Sequence, residues 1–248
     1  FPVKIVVRHE TEILGTGGAI RNTADIWEKA PFMVVNSDIT TDIDLAAVFR
    51  CHIGHPHPVT LVLCDDPNFN SVAVDQDGFV VAFTNAGGDA LEDLRHLTFT
   101  GIQVLDPTVI DYLPARGFAH SIEAFRSMLA DGYKIKAYHA VDSLWSDLGS
   151  PERYRAAARD IMAAAAFEAV SPATDGLPIE WYPLAGDGSD RHWHRLRRGG
   201  TSLVMVDHGI RQGAAPGEAD SFVHIGRHLH DQGLPVPRIV REDTFAGL

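Results

Sequence analysis

The sequence predicts an α/β domain on a mainly parallel sheet, interrupted by an antiparallel insertion and followed by a smaller β-rich segment. Short apolar runs alternate with helix-forming stretches from the start of the chain, the signature of a sheet covered by helices on both faces. Asp77-Gly78 stands between two alternating apolar runs and reads as a hairpin turn. Residues 171–178, Ser-Pro-Ala-Thr-Asp-Gly-Leu-Pro, break the composition, and the pattern beyond them restarts as β-rich.

The elements follow in order. Residues 3–7 are a short β-rich run, and the turn Gly15-Thr-Gly-Gly18 leads into a helix over 19–27. Residues 32–35 form a buried strand closing on polar Asn36-Ser-Asp38, and Asp44 is placed to N-cap a helix over 45–52. A strand at 59–63 continues the alternation. Residues 71–75 and 79–83 pair as the insertion, 97–105 returns as an apolar strand, 121–130 is an amphipathic helix stopped by Gly132, and 134–141 alternates like a strand. Ser150-Pro151 supplies an N-cap followed by proline at the first helical position, opening an Ala-rich helix to about residue 170. Domain limits of 1–170 and 179–248 follow, with 171–178 as linker. Strands at 181–184, 192–196 and 202–206 and a helix over 219–230 complete the chain.

Length and composition bound the function. The 248 residues, 45% hydrophobic and 22% charged, allow one large domain or one domain and part of another. A net charge of −12 repels a phosphate backbone, which argues against nucleic-acid binding and leaves small nucleotides as the natural anionic ligands. Cys51 and Cys64 are too few for a disulfide framework, and no apolar run is long enough for a bilayer, so a cytoplasmic protein with no membrane partner is expected. The strand-like start and the stop after a Pro-rich stretch read as cut ends, making the chain the middle of a longer protein.

The chemistry concentrates in three pieces: Glu10 through Arg21, containing Gly15-Thr-Gly-Gly18; Val34-Val-Asn-Ser-Asp38; and Trp145-Ser-Asp-Leu-Gly-Ser-Pro-Glu-Arg-Tyr154. Asp38 closes an apolar strand, where the ligand crevice of an α/β sheet lies, and Asp147 occupies a turn before a Pro-initiated helix. Two such carboxylates are hard oxygen ligands suited to Mg²⁺; by themselves they are equally ordinary turn and cap residues. Glycines at 15–18 let a backbone approach a flat base or a phosphate, or make a plain turn. Cys51, His52, His55, His57 and Cys64 lack a paired metal-ligand spacing and are expected to be a surface loop.

Together these pieces resemble the sugar-1-phosphate nucleotidyltransferases, such as mannose-1-phosphate guanylyltransferases and N-acetylmuramate-1-phosphate uridylyltransferases. The resemblance covers about residues 1–165 and implies a Rossmann-like fold of the nucleotide-diphospho-sugar transferase type. It also implies that NTP (UTP or GTP) and a sugar 1-phosphate are the partners, with pyrophosphate released. By that resemblance Asp38 and Asp147 are the metal ligands, with Mg²⁺ as cofactor. Gly15, Thr16 and Gly17 lie against the nucleobase, and Glu10 reads it; a carboxylate only accepts, which suits the donors of guanine or uracil. Thr98-Phe-Thr-Gly101 matches as well, with Gly101 letting the sugar approach the backbone; the bland alternative is a strand glycine marking a bulge.

Ser37 departs from the glycine the family usually has before its metal-binding Asp, and Phe83-Thr-Asn85 lacks an acidic-basic pair. The family's front Gly-rich loop, with the Arg or Lys that holds the triphosphate, has no match here, so transfer is expected to fail if Phe1 is a true start. The rival reading is a non-catalytic nucleotide-sugar-binding regulatory subunit. Beyond the linker, Leu184-Ala-Gly-Asp-Gly-Ser-Asp-Arg191 and the strands after it resemble the start of an aminoglycoside-phosphotransferase-like sugar kinase, with Gly186, Gly188 and Ser189 as its phosphate loop. That implies a partial kinase-like β-rich lobe, which lacks the third-strand lysine and the catalytic loop.

Overall fold

The computed structural model describes residues 3–27, 29–84, 94–174, 176–186, 188, 191–210 and 217–248. The chain divides into two compact units, Phe1–Asp147 and Leu148–Leu248.

In the first unit the order is α1 (Gly15–Asn22), β1 (Phe32–Val35), β2 (Ile39–Thr41), α2 (Leu45–Ile53), β3 (Val59–Cys64), β4 (Val72–Val74), β5 (Phe79–Phe83) and β6 (Arg95–Leu105). After a 3-10 turn at Pro107–Tyr112 come α3 (Ser121–Ala130), β7 (Ile135–His139) and β8 (Trp145–Asp147). Six strands form one sheet in the order β1-β6-β3-β7-β5-β4, with β4 also paired to β6. That last pairing closes β6, β3, β7, β5 and β4 into a ring. β2 and β8 make a separate two-stranded ladder.

The α/β class holds, and helices cover both faces. Alternate residues of β3 point to opposite sides: Val59, Leu61 and Leu63 join Ile20 of α1 and Ala124, Phe125 and Met128 of α3, whereas Val62 joins Val48 of α2. The sheet is mixed rather than mainly parallel. β1, β3 and β7 share one direction, but β6 lies between β1 and β3 and runs against both, so the parallel pairing among the described residues is β3 with β7. The hairpin of the insertion forms as expected, with Asp75 accepting from the Asp77 and Phe79 N–H groups.

Three local readings change. Residues 3–7 form no strand; Val3, Ile5, Val6 and Val7 are exposed, because a β-rich run becomes a strand only where a neighbour takes up its backbone groups, and no described strand does. The first helix starts at the glycines instead of following them. It ends at Asn22, where the Thr23 hydroxyl donates to the Ala19 and Ile20 carbonyls. The cysteine and histidine cluster is not a surface loop: Cys51 and His52 belong to α2 and Cys64 to β3, with His52 and Cys64 buried, and the half-buried His55 and His57 lie in the connection between them. They form a hydrogen-bond chain to the sheet. The His57 N–H donates to His55 Nδ1 at 3.2 Å, which puts the His55 proton on Nε2 and towards Thr60 Oγ1 at 2.9 Å. The Thr60 hydroxyl then donates to His52 Nδ1 at 2.8 Å, and His52 Nε2 donates to Asp106 at 3.3 Å.

The second unit consists of α4 (Pro151–Val170), a short 3-10 turn at Pro172–Thr174, β9 (Glu180–Pro183), β10 (His192–Arg198), β11 (Thr201–Asp207) and α5 (Glu218–Asp231). β9, β10 and β11 form an antiparallel sheet. The compact units divide between Asp147 and Leu148, and the composition break over 171–178 lies inside the second unit. The reason is packing: Ala163 and Phe167 of α4 are buried with Leu196 of β10 and Met205 of β11. Ser150 caps α4 as the sequence suggests, accepting from the Arg153 N–H. No described helix is long and apolar enough to cross a membrane.

Candidate functional site

The two aspartates named from the sequence are over a hundred residues apart, and the β2–β8 ladder brings their backbones side by side. Ile39 pairs with Asp147, and Asp38 is the residue before Ile39 in the turn after β1. The ladder is held by side chains as well: Thr41 Oγ1 donates to the Leu144 carbonyl at 2.7 Å, and the Leu144 N–H donates to Asp42 Oδ1 at 2.7 Å. Trp145 anchors β8 to the main sheet, its indole N–H donating to the Thr100 carbonyl at 2.9 Å.

Beside the ladder opens a cleft of about 340 Å³. Asp147 lines it together with Gly101, Asn36, Trp145, Phe69 and Arg126; Asp38 is exposed on the adjoining turn and is not among the lining residues. Gly101 sits where β6 loses register with β3, a bulge, and it also lines the cleft. Its φ is +81°, and a Cβ there would come within 2.8 Å of Asn36 Nδ2. The backbone therefore needs glycine twice, for its conformation and for the Asn36 amide lying against it. The Asn36 N–H donates to the Gly101 carbonyl at 3.0 Å, tying the end of β1 to this bulge.

The glycine turn packs against the segment before α3. A Cβ on Gly15 would meet the Ala119 carbonyl at 2.7 Å, and one on Gly17 would meet the same atom at 3.0 Å. The Gly17 and Gly18 N–H groups both donate to the Ala119 carbonyl, at 2.9 and 3.3 Å. The missing side chains thus admit the segment before α3. Thr16 lies in the same first turn of α1. Glu10 accepts the Leu14 N–H through one carboxylate oxygen at 3.1 Å, closing the approach to α1. Gly15, Gly17 and Glu10 are not among the residues lining the cleft.

Sequence reasoning missed Asn36, Trp145 and Arg126 as cleft residues. Asn36 and Trp145 stand two residues from Asp38 and Asp147, and their own residue types carry no metal-binding signal. Arg126 had no local signal: its place follows from α3 packing along β5, where its guanidinium donates to the Phe83 carbonyl at 3.2 Å. It puts a cation at the segment where an acidic-basic pair was missing from the sequence.

The donor set fits Mg²⁺. Among the described residues no three His, Cys, Asp or Glu side chains gather into a metal cage. Two adjacent acids suit an ion that is held by one or two carboxylates and otherwise by water and substrate phosphates. In the second unit, Gly186 and Gly188 lie in the connection between β9 and β10, with no atom near enough to crowd a Cβ at either position. Ser189 lies outside the described residues.

Comparison with known proteins identifies the family. The nucleotidyl transferase family model matches residues 1–164. A mannose-1-phosphate guanylyltransferase of Mycobacterium tuberculosis is 36% identical over 197 residues, which is 77% of this chain and 52% of that protein. A mannose-1-phosphate guanyltransferase of Schizosaccharomyces pombe is 29% identical over 161 residues, 62% of this chain and 43% of that protein. The chain thus spans about half the length of the curated relatives it matches. A UDP-glucose pyrophosphorylase structure from Acinetobacter baumanii shares the fold, with a TM-score of 0.51 at 16% identity over 61% of this chain and 57% of that one. With a family match over more than half its length, the chain belongs to the nucleotidyl transferase family.

Proposed function

We propose that the protein activates a sugar 1-phosphate with a nucleoside triphosphate, and that mannose 1-phosphate and GTP are the pair. The names of the two mannose-1-phosphate guanylyltransferase relatives support the choice of pair, and the ladder that sets Asp147 beside Asp38 supports the chemistry. In this reaction an oxygen of the sugar phosphate forms a bond to the α-phosphorus of the nucleotide while the bond from that phosphorus to the bridging oxygen breaks, and pyrophosphate leaves. Mg²⁺, when bound, neutralises the charge that builds on the transferring and leaving oxygens. Asp38 and Asp147 hold it. Gly101 gives the sugar close access to β6, Arg126 offsets the charge of the sugar phosphate, and Glu10 accepts from the guanine donors with the oxygen not engaged by Leu14.

The second unit we read as the start of a sugar-kinase-like lobe, supported by its order of three antiparallel strands followed by a helix and by the open glycine connection at Gly186 and Gly188. The deciding experiment is an assay of the full-length protein with GTP, mannose 1-phosphate and Mg²⁺, with pyrophosphate as readout. Asp147→Asn should lower the rate on the order of 10²-fold or more. An unchanged rate would remove the metal assignment, and tight binding of GDP-mannose without turnover by the parent protein would favour a regulatory subunit.

A further inference from the structure

Most of the neutral polar side chains on the wall of the first unit's cleft are already engaged within the protein. The Thr98 hydroxyl donates to the Asn70 side-chain oxygen at 2.8 Å, Thr100 to the Val62 carbonyl at 2.8 Å and Thr84 to the Ser71 carbonyl at 3.2 Å, while the Trp145 indole N–H is bonded to Thr100. Asn36 is different. It lines the same wall and is half-buried, and its side chain makes no hydrogen bond among the described residues.

That amide is nevertheless held in place. The Asn36 backbone N–H is bonded to the Gly101 carbonyl, and the side chain fills the space a Cβ on residue 101 would need, with its Nδ2, Cγ and Cβ 2.8, 2.9 and 3.0 Å from that point. A hydrated surface amide needs no such seat, whereas a group that must meet a ligand in one orientation gains from it. Gln103, two positions further along β6, is the contrast: its amide also lacks a partner, but it is fully buried, out of reach of any ligand. Asn36 faces the cleft between Gly101 and Asp147, which line it too.

A free carboxamide presents N–H donors and a carbonyl acceptor side by side. Phosphate oxygens only accept, so they match half of it and leave its carbonyl facing negative charge. A hydroxyl both donates and accepts, and two on neighbouring carbons engage the N–H and the carbonyl together. We propose that Asn36 is a specificity-determining residue for the sugar, its amide donating to one ring hydroxyl and accepting from the next, so that the cleft selects a sugar with that pair intact. This deepens the proposed transfer to a sugar 1-phosphate and rests on it.

The test is steady-state kinetics of the full-length protein with GTP and Mg²⁺, comparing mannose 1-phosphate with its 2-, 3-, 4- and 6-deoxy analogues for the parent, Asn36→Ala and Asn36→Leu. Leucine keeps the volume seated on Gly101 and removes both hydrogen-bonding groups. In the parent, loss of either of two adjacent hydroxyls should lower kcat/KM about tenfold, the size of one hydrogen bond at the upper end of the neutral range. Both variants should be slower by at least that factor with the intact sugar, mainly through KM, and should lose little more when those same hydroxyls are absent. The remaining deoxy sugars, and 2′-deoxyGTP in place of GTP, should affect parent and variants alike. A residue that merely supports the site would instead lower every sugar by one factor and leave the discrimination between them as it is in the parent. That outcome in both variants, a parent indifferent to every missing hydroxyl, or discrimination lost for deoxyGTP rather than for the sugars would overturn the role of Asn36. A parent that turns over none of the sugars would overturn the activity itself, and this role with it, so the parent's own rate separates the two failures.

Discussion

Gly101 combines a left-handed backbone, a bulge and a close neighbour at one position, so Gly101→Ala is expected to act on both stability and binding. The conformation alone should cost about 1–2 kcal/mol, and the displaced Asn36 amide should raise KM for the sugar phosphate more than it lowers kcat; steady-state kinetics with urea melts checks both. Gln103, two positions on, is fully buried, and neither its amide nitrogen nor its oxygen has a partner. Replacing it with Met removes two unsatisfied groups at similar volume, so a stabilisation of about 1–2 kcal/mol is expected in urea. A loss of stability would show that the amide has a hidden partner. Glu10→Gln keeps an acceptor for Leu14 and removes the second charged oxygen. It should therefore weaken GTP more than UTP in the full-length enzyme, and equal effects on both would reject a base-reading role.

At the scale of elements, the chain from His57 to Asp106 makes α2 sensitive to pH. Burial, followed by the neighbouring His52 and His57, holds the His55 imidazole below its ordinary pKa of 6.5. His139 is lowered in the same direction by burial and by Arg95. A histidine with a lowered folded pKa binds more protons when unfolded, so its stabilisation is complete above pH 6.5 and is lost as the pH falls through the folded value. Melting temperature should therefore drop on acidification below that point, less steeply in His55→Gln; a parallel slope in the variant would assign the effect elsewhere. Ser150→Ala, which removes the cap of α4, should destabilise the second unit by about 1 kcal/mol.

These elements also show what was legible. The capped helices at Asp44 and Ser150 and the Asp77-Gly78 hairpin were readable because a side chain or turn a few residues away decides them. The direction of β6 was not, since nothing in an apolar run distinguishes a strand inserted parallel from one inserted antiparallel. The glycine turn is a related case. Missing Cβ atoms announce a close approach without naming what approaches, and here Ala119 fills the space. Asp38 and Asp147 were legible as acids in telling contexts, while Arg126 was fixed only by the packing of α3.

At the scale of the whole molecule, the boundary at Asp147 separates the family match from the compact units, because the match runs on to residue 164, well into α4. Cutting at the composition break would strand α4 on the wrong fragment. A fragment of residues 148–248 is expected to keep α4 docked on its sheet and show a cooperative thermal transition, whereas 171–248, deprived of Phe167 and Ala163, should not. The three-residue ladder of β2 and β8 has a consequence for how activity is lost. It joins segments over a hundred residues apart with few bonds and stands outside the ring of strands, so it can open while the sheet persists. Mild denaturant should then separate Asp38 from Asp147 before any spectroscopic sign of unfolding appears, and the protein would die as an enzyme while still folded as a domain.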